Sequence, residues 1–150
     1  IVCVCIEPEQ AKRMNLPMMV EHNTSVYGTA FTISIDAAKG VTTGVSAPDR
    51  VKAIKAVINP NGNPEDLASP GHMFPLVAKK GGVLEREGHT EASVDLARLA
   101  GFAPAGILCE LCAPDGLMAK LPRVTTFAME HDLTCLSIED LIAYRKEKNI

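Results

Sequence analysis

Apolar and polar positions follow two rhythms along the 150-residue chain, one with the period of a strand and one with that of a helix. The apolar run I-V-C-V-C-I at residues 1–6 predicts a strand with Cys3 and Cys5 on one face. Residues 29–35, T-A-F-T-I-S-I, alternate cleanly and predict a second strand. Residues 105–112 predict a third, and residues 133–136 a short fourth. Helical patterning fills the gaps. Residues 7–16 carry Pro8 in the first turn, where its missing N–H costs nothing. A helix opened by Pro48 runs to about Ile58, with apolar residues at Val51, Ile54 and Ile58. Another covers residues 91–100, with Thr90 as its N-cap and Gly101 just past its end. Residues 122–131 form the next. The last begins at Ile138 and runs to about Lys148, with Ser137 and Asp140 placed as a capping box. Residues 59–75 hold four prolines and two glycines, and read as a long loop carrying Pro70-Gly71-His72.

Strands alternating with helices predict an α/β (α+β) fold, a mixed sheet flanked by helices. Residues 1–150 read as one domain, without repeats or low-complexity segments. A hydrophobic content of 47% is enough for a real core. A formal net charge of -3 offers nucleic acid no electrostatic footing. The basic residues are scattered, which disfavours an anionic membrane surface, and no apolar run approaches the roughly 18 residues of a membrane span. A cytoplasmic location follows as an expectation. Five cysteines, an odd number, favour buried thiols in a reducing compartment over a disulfide framework. Because the chain opens inside an apolar run, further residues upstream are expected.

Several residues carry candidate chemistry. The stretch L-E-R-E-G-H-T-E-A at residues 84–92 sets Arg86 and His89 at a helix start. Free N–H groups and the helix dipole make such a start an anion site, and Arg86 adds a fork of donors. His89 offers a ring nitrogen to a metal. A plain capped surface helix explains the same spacing. His72 lies in the Pro/Gly loop. Glu110 lies within L-C-E-L-C, a segment read as a buried strand, where burial would raise its pKa toward that of a working acid or base. Thr42, Thr43 and Ser46 form a donor-rich loop or simply a turn and cap. Cys109 and Cys112 have C-x-x-C spacing, but no helix start precedes them and no further zinc ligands stand at matching spacing.

Three segments, Y-G-T-A-F-T-I-S-I-D-A-A-K-G-V-T-T-G-V-S-A-P-D-R, P-G-H-M-F-P-L-V-A-K-K-G-G-V-L-E-R-E-G and G-H-T-E-A-S-V-D-L-A-R-L-A-G-F-A-P-A-G-I-L-C-E-L, resemble 3,4-dihydroxy-2-butanone 4-phosphate synthase. The likeness continues to S-I-E-D-L-I-A-Y-R near the C-terminus. It implies conversion of D-ribulose 5-phosphate to 3,4-dihydroxy-2-butanone 4-phosphate and formate, with Mg2+ or Mn2+, by a cytoplasmic homodimer of riboflavin biosynthesis. It further implies that Arg86 and Thr90 bind phosphate, that His89 ligates the metal, and that the backbone at Glu87 and Gly88 lies along the substrate. His72 and Glu110 correspond to catalytic residues, Glu110 also touching substrate. The family's N-terminal acidic loop, which supplies a second metal ligand, precedes the part matched here. Other readings are a non-catalytic assembly module of that enzyme, a different sugar-phosphate isomerase, and a zinc or redox protein built on Cys109 and Cys112.

Overall fold

The computed structural model describes residues 1–150. The chain divides into two compact units, Val2–Leu108 and, with Ile1, Cys109–Ile150.

Val2–Leu108 is built on a four-stranded sheet in the order β2-β3-β1-β4. β1 (Cys3–Ile6) is central, parallel to β3 (Leu67–Val77) and antiparallel to β4 (Ala105–Leu108). It is buried on both faces, which is why it reads as unbroken apolar sequence. Val4 and Ile6 join a core with Ile35, Met73 and the inward residues of α1 (Pro8–Arg13) and α2 (Ala47–Ile58). Cys3 and Cys5 face the opposite way, against Leu76, Ala78 and Val94 of α3 (His89–Leu99). The expected mixed sheet flanked by helices, with both N-terminal cysteines on one face, is therefore what forms.

The details differ from the expected boundaries in ways that have physical causes. The alternating run at residues 29–35 becomes regular strand only as β2 (Ile35–Ala37). Upstream, Phe31 and Thr32 make single bridges to Leu76 and Met18, because this segment is strung between β3 on one side and residues 17–19 on the other. In α2 the buried face is Ala53, Ile54 and Val57, while Val51 points outward. α3 starts at His89 with Gly88 as N-cap, so Thr90 lies inside the first turn. Most of the proline-rich stretch is strand β3. Pro70 is tolerated because the β2–β3 ladder is broken there: Ile35 and Asp36 are adjacent, yet their partners are Met73 and Ala68. Residues 69–72 have no opposite numbers on β2.

In the unit that includes Cys109–Ile150, α4 (Leu121–Glu130) and α5 (Ile138–Lys148) are the regular elements, and Ala128 and Leu141 are buried. Ser137 and Asp140 form the expected capping box. The strand expected at residues 133–136 is absent; the segment is exposed and has no ladder partner. No helix of the chain is long and apolar enough to cross a membrane.

Two outcomes follow. A Cβ at Gly106 would lie 2.7 Å from Ser93 Cβ and 2.9 Å from its carbonyl oxygen, where α3 crosses β4. Gly106→Ala should therefore lower stability by about 1–3 kcal/mol, read as a reduced urea midpoint at constant slope. An unchanged midpoint would mean that α3 rides away from the sheet freely. Burial pushes the Cys5 thiol up to about 11 from 9.0, outweighing hydrogen bonds from Ser93 and Thr90. Unfolded, this thiol ionises near its ordinary value; folded, it holds its proton longer. Its contribution is intact below pH 9 and disappears as pH climbs to 11, a loss of about 2–3 kcal/mol. Midpoints across that range should fall less steeply in Cys5→Ala than in the parent chain.

Candidate active site

Backbone donors left over at the β2–β3 irregularity organise the first cluster. Residues 69–72 find no acceptor on the β2 backbone. Side chains substitute. The Gly71 N–H donates to Ser34 Oγ at 3.1 Å, and the His72 N–H donates to Asp36 Oδ1 at 3.0 Å. The other Asp36 oxygen, Oδ2, lies 2.8 Å from His72 Nδ1. The Asp36 side chain is 14% exposed and that of His72 47%, so the acid is sheltered and the ring reaches solvent. Gly71 is required: a Cβ there would fall on the backbone of Ile35 and Asp36. Gly44, at φ +82°, closes over the pair, and a side chain at that position would collide with Asp36 Oδ2 and His72 Nδ1.

The loop carrying Gly44 is pinned from α2. Buried Asp49 Oδ2 accepts from the Thr42 hydroxyl at 2.7 Å, the Thr42 N–H at 3.2 Å and the Gly44 N–H at 3.3 Å. These donors, the Thr42 hydroxyl foremost, hold the Asp49 carboxyl below its ordinary range. Ser46 caps α2 by accepting from the Asp49 N–H. The cap reading of this loop holds for Ser46, while Thr42 and Thr43 are exposed beside the His72 cluster's covering glycine.

The second cluster is the head of α3, which no side chain caps. Arg86 Nη1 donates to Glu91 Oε2 at 2.6 Å and Nη2 donates to the Tyr27 carbonyl at 3.2 Å. Two of a guanidinium's five N–H groups are thus engaged and the rest are free to bind. Glu91 is 1% exposed, and its Oε1 accepts from the Lys79 N–H at 2.9 Å. Gly88 must lack a side chain, since a Cβ would overlap the Arg86 guanidinium and lie 2.6 Å from Glu91 Oε2. The Thr90 hydroxyl turns inward, toward the Cys5 thiol. What Thr90 offers at the helix head is its backbone N–H. Glu87 and His89 are exposed there.

Glu110 departs from expectation. β4 stops at Leu108, opposite Cys3 where β1 itself begins, so Glu110 lies beyond the sheet. Its side chain is 45% exposed rather than buried. Cys109 and Cys112 are exposed free thiols. No group of three His, Cys, Asp or Glu side chains converges to hold a metal, so the zinc reading has no ligand set. The structure brings Arg86, Gly88 and the first turn of α3 together, and gives His72 a partner in Asp36. Neither Asp36 nor Glu91 was legible as a site residue. Asp36 ends an alternating strand as ordinary polar punctuation, and Glu91 reads as a solvated acid of a helix start.

The matches to known proteins agree with this geometry. The family model of 3,4-dihydroxy-2-butanone 4-phosphate synthase matches residues 1–144. The synthase of Nitratidesulfovibrio vulgaris is 61% identical over 150 residues, spanning 100% of this chain and 70% of its own length. That of Klebsiella pneumoniae is 58% identical over 147 residues, 98% of this chain and 68% of its own. A solved 3,4-dihydroxy-2-butanone 4-phosphate synthase in complex with two magnesium ions superimposes with a TM-score of 0.91 at 36% identity, covering 99% of this chain and 74% of its own. A two-domain synthase from A. baumannii gives 0.91 at 44% identity, covering 96% of this chain and 42% of its own. With a glycine-floored arginine at an uncapped helix head and a match running through nearly every residue, the chain belongs to the 3,4-dihydroxy-2-butanone 4-phosphate synthase family, the lyases that convert ribulose 5-phosphate in riboflavin biosynthesis.

Proposed function

We propose that Arg86 and the first turn of α3 hold the phosphate of D-ribulose 5-phosphate while His72 and Glu110 carry protons through its conversion to 3,4-dihydroxy-2-butanone 4-phosphate and formate. The observation that carries this reading is the helix head itself: uncapped N–H groups, a guanidinium fixed over Gly88, and no side chain between them. A dianion there meets the positive end of the helix dipole and a fork of charged donors. The Thr90 contribution is its N–H, and the backbone at Glu87 and Gly88 runs beside the same point. Phosphate bound away from the reacting carbons supplies orientation and binding energy for the steps that follow.

Those steps move protons repeatedly. The ketose is enolised, dehydrated, rearranged by a carbon shift and cleaved. A neutral imidazole and a carboxylate both accept and return protons near neutral pH. The exposed His72 ring is accessible to a soluble substrate, and so is the Glu110 carboxylate.

His89 is assigned as an imidazole donor toward magnesium or manganese. Its ring is exposed at the first position of α3. Magnesium, however, takes a near-octahedral set of mostly oxygen donors, and the chain assembles no three-ligand group around it or anywhere else. These residues alone do not fit the ion, and the steps assigned to them are phosphate binding and proton transfer. A second reading is a module of the synthase that binds sugar phosphate without turning it over. The exposed apolar residues Met18, Met19, Val20, Val26 and Tyr27 support homodimer formation on that face.

The purified chain, given ribulose 5-phosphate and magnesium, should release formate. Glu110→Gln should abolish release without altering the circular dichroism spectrum, and near-normal turnover would sink its assignment. Arg86→Lys keeps a charge for Glu91 but loses the fork, and should lower kcat/KM about 10–100-fold. Phosphate-ester binding without any formate would select the module reading.

A further inference from the structure

We infer that Asp36 is a positioning residue for His72, setting its tautomer so that the neutral ring carries its proton on Nδ1 and presents an unprotonated Nε2 to the substrate. This rests on His72 acting as a proton carrier, but its geometry stands independently. The His72 backbone N–H can only donate, so Asp36 Oδ1, 3.0 Å away, must accept. A carboxylate has no proton to offer from its second oxygen either. Nδ1, 2.8 Å from Oδ2, is therefore the donor. The remaining ring nitrogen, Nε2, keeps its lone pair, on a ring that is half exposed.

The surroundings leave the pair little freedom. Gly71 lets β3 lie directly against Asp36, and its N–H is tied to Ser34 Oγ. Gly44 packs over both interacting atoms, and Asp49 fixes the loop that carries it. Both Asp36 oxygens are engaged with one histidine and covered by a glycine. The acid is 14% exposed. It acts on the reaction only through the ring.

Asp36→Asn makes a sharp test. The His72 N–H still demands an acceptor, so the amide oxygen takes the Oδ1 place and the amide NH2 faces Nδ1. The ring must then accept at Nδ1 and move its proton to Nε2. The protein keeps its fold and shape but presents the wrong nitrogen to substrate, a defect that costs on the order of 10²–10⁴ in kcat where a histidine works as a base. KM should change little.

Long-range proton–nitrogen NMR of the imidazoles at alkaline pH, with His72 assigned by its loss in His72→Gln, reads the tautomer directly. The parent chain and Asp36→Glu should show the proton on Nδ1, and Asp36→Asn on Nε2. A parent ring protonated on Nε2, or an unchanged tautomer in Asp36→Asn, overturns the inference. So does a switched tautomer with unchanged kcat when His72→Gln is inactive. If His72→Gln itself turns over normally, the proton-carrier reading of His72 fails, while the tautomer assignment is judged by the spectra alone.

Discussion

Four residues of β3, 69–72, run past β2 without a backbone partner, and the site around His72 follows from how their donors are satisfied. The fold supplies Ser34 and Asp36 as acceptors in place of the missing ladder. A hydroxyl serves one donor. A carboxylate, with two oxygens, serves one donor and has an oxygen left over, and that oxygen meets the His72 ring. Sheet repair and the orientation of the His72 ring are thus one arrangement. The two glycines are its steric conditions, Gly71 below the pair and Gly44 above it.

The same division of a carboxylate recurs on α3. Glu91 gives one oxygen to the Lys79 N–H and the other to Arg86. Asp95, one helical turn on, gives one oxygen to the Val83 N–H and the other to Arg98. Being four residues apart, the two acids project from one face, and both are 1% exposed. Together they staple residues 79–86 to the helix, which is how Arg86 comes to stand over its N-terminus. Glu91 also lies in the first turn, where the dipole favours negative charge.

This explains what could be read from the residues alone and what could not. The central strand, the faces of Cys3 and Cys5, and the α5 capping box depend on local period and neighbouring residues, and they stand as expected. The helix start near residue 89 was legible for the same reason: a helix head is a local object. Non-local geometry defeated local pattern elsewhere. The start of β3 looked like a loop because its tolerance for Pro70 comes from a break in pairing with a distant strand. Glu110 looked buried because its neighbours are apolar, but the strand ends two residues before it. Asp36 and Glu91 gave no sign, because each acquires its importance from a backbone N–H far along the chain.

The three divided carboxylates also distinguish Arg86 from Arg98. In each case a sheltered acid, tied to backbone by one oxygen, fixes a more exposed partner with the other, so a rigid interior confers geometry on groups that reach solvent. Arg98 is spoken for at its far side as well, where Nη2 donates to Glu7 Oε1 at 2.5 Å. It ties α3 to the start of α1 between two acids and carries no excess charge to an anion. Arg86 meets a single acid, and its second contact is the neutral carbonyl of Tyr27. Its charge is only partly compensated by hydrogen bonding, and the helix head beneath it adds positive potential of its own. Of the two guanidiniums held by α3, only this one is left with both the donors and the field to take a phosphate.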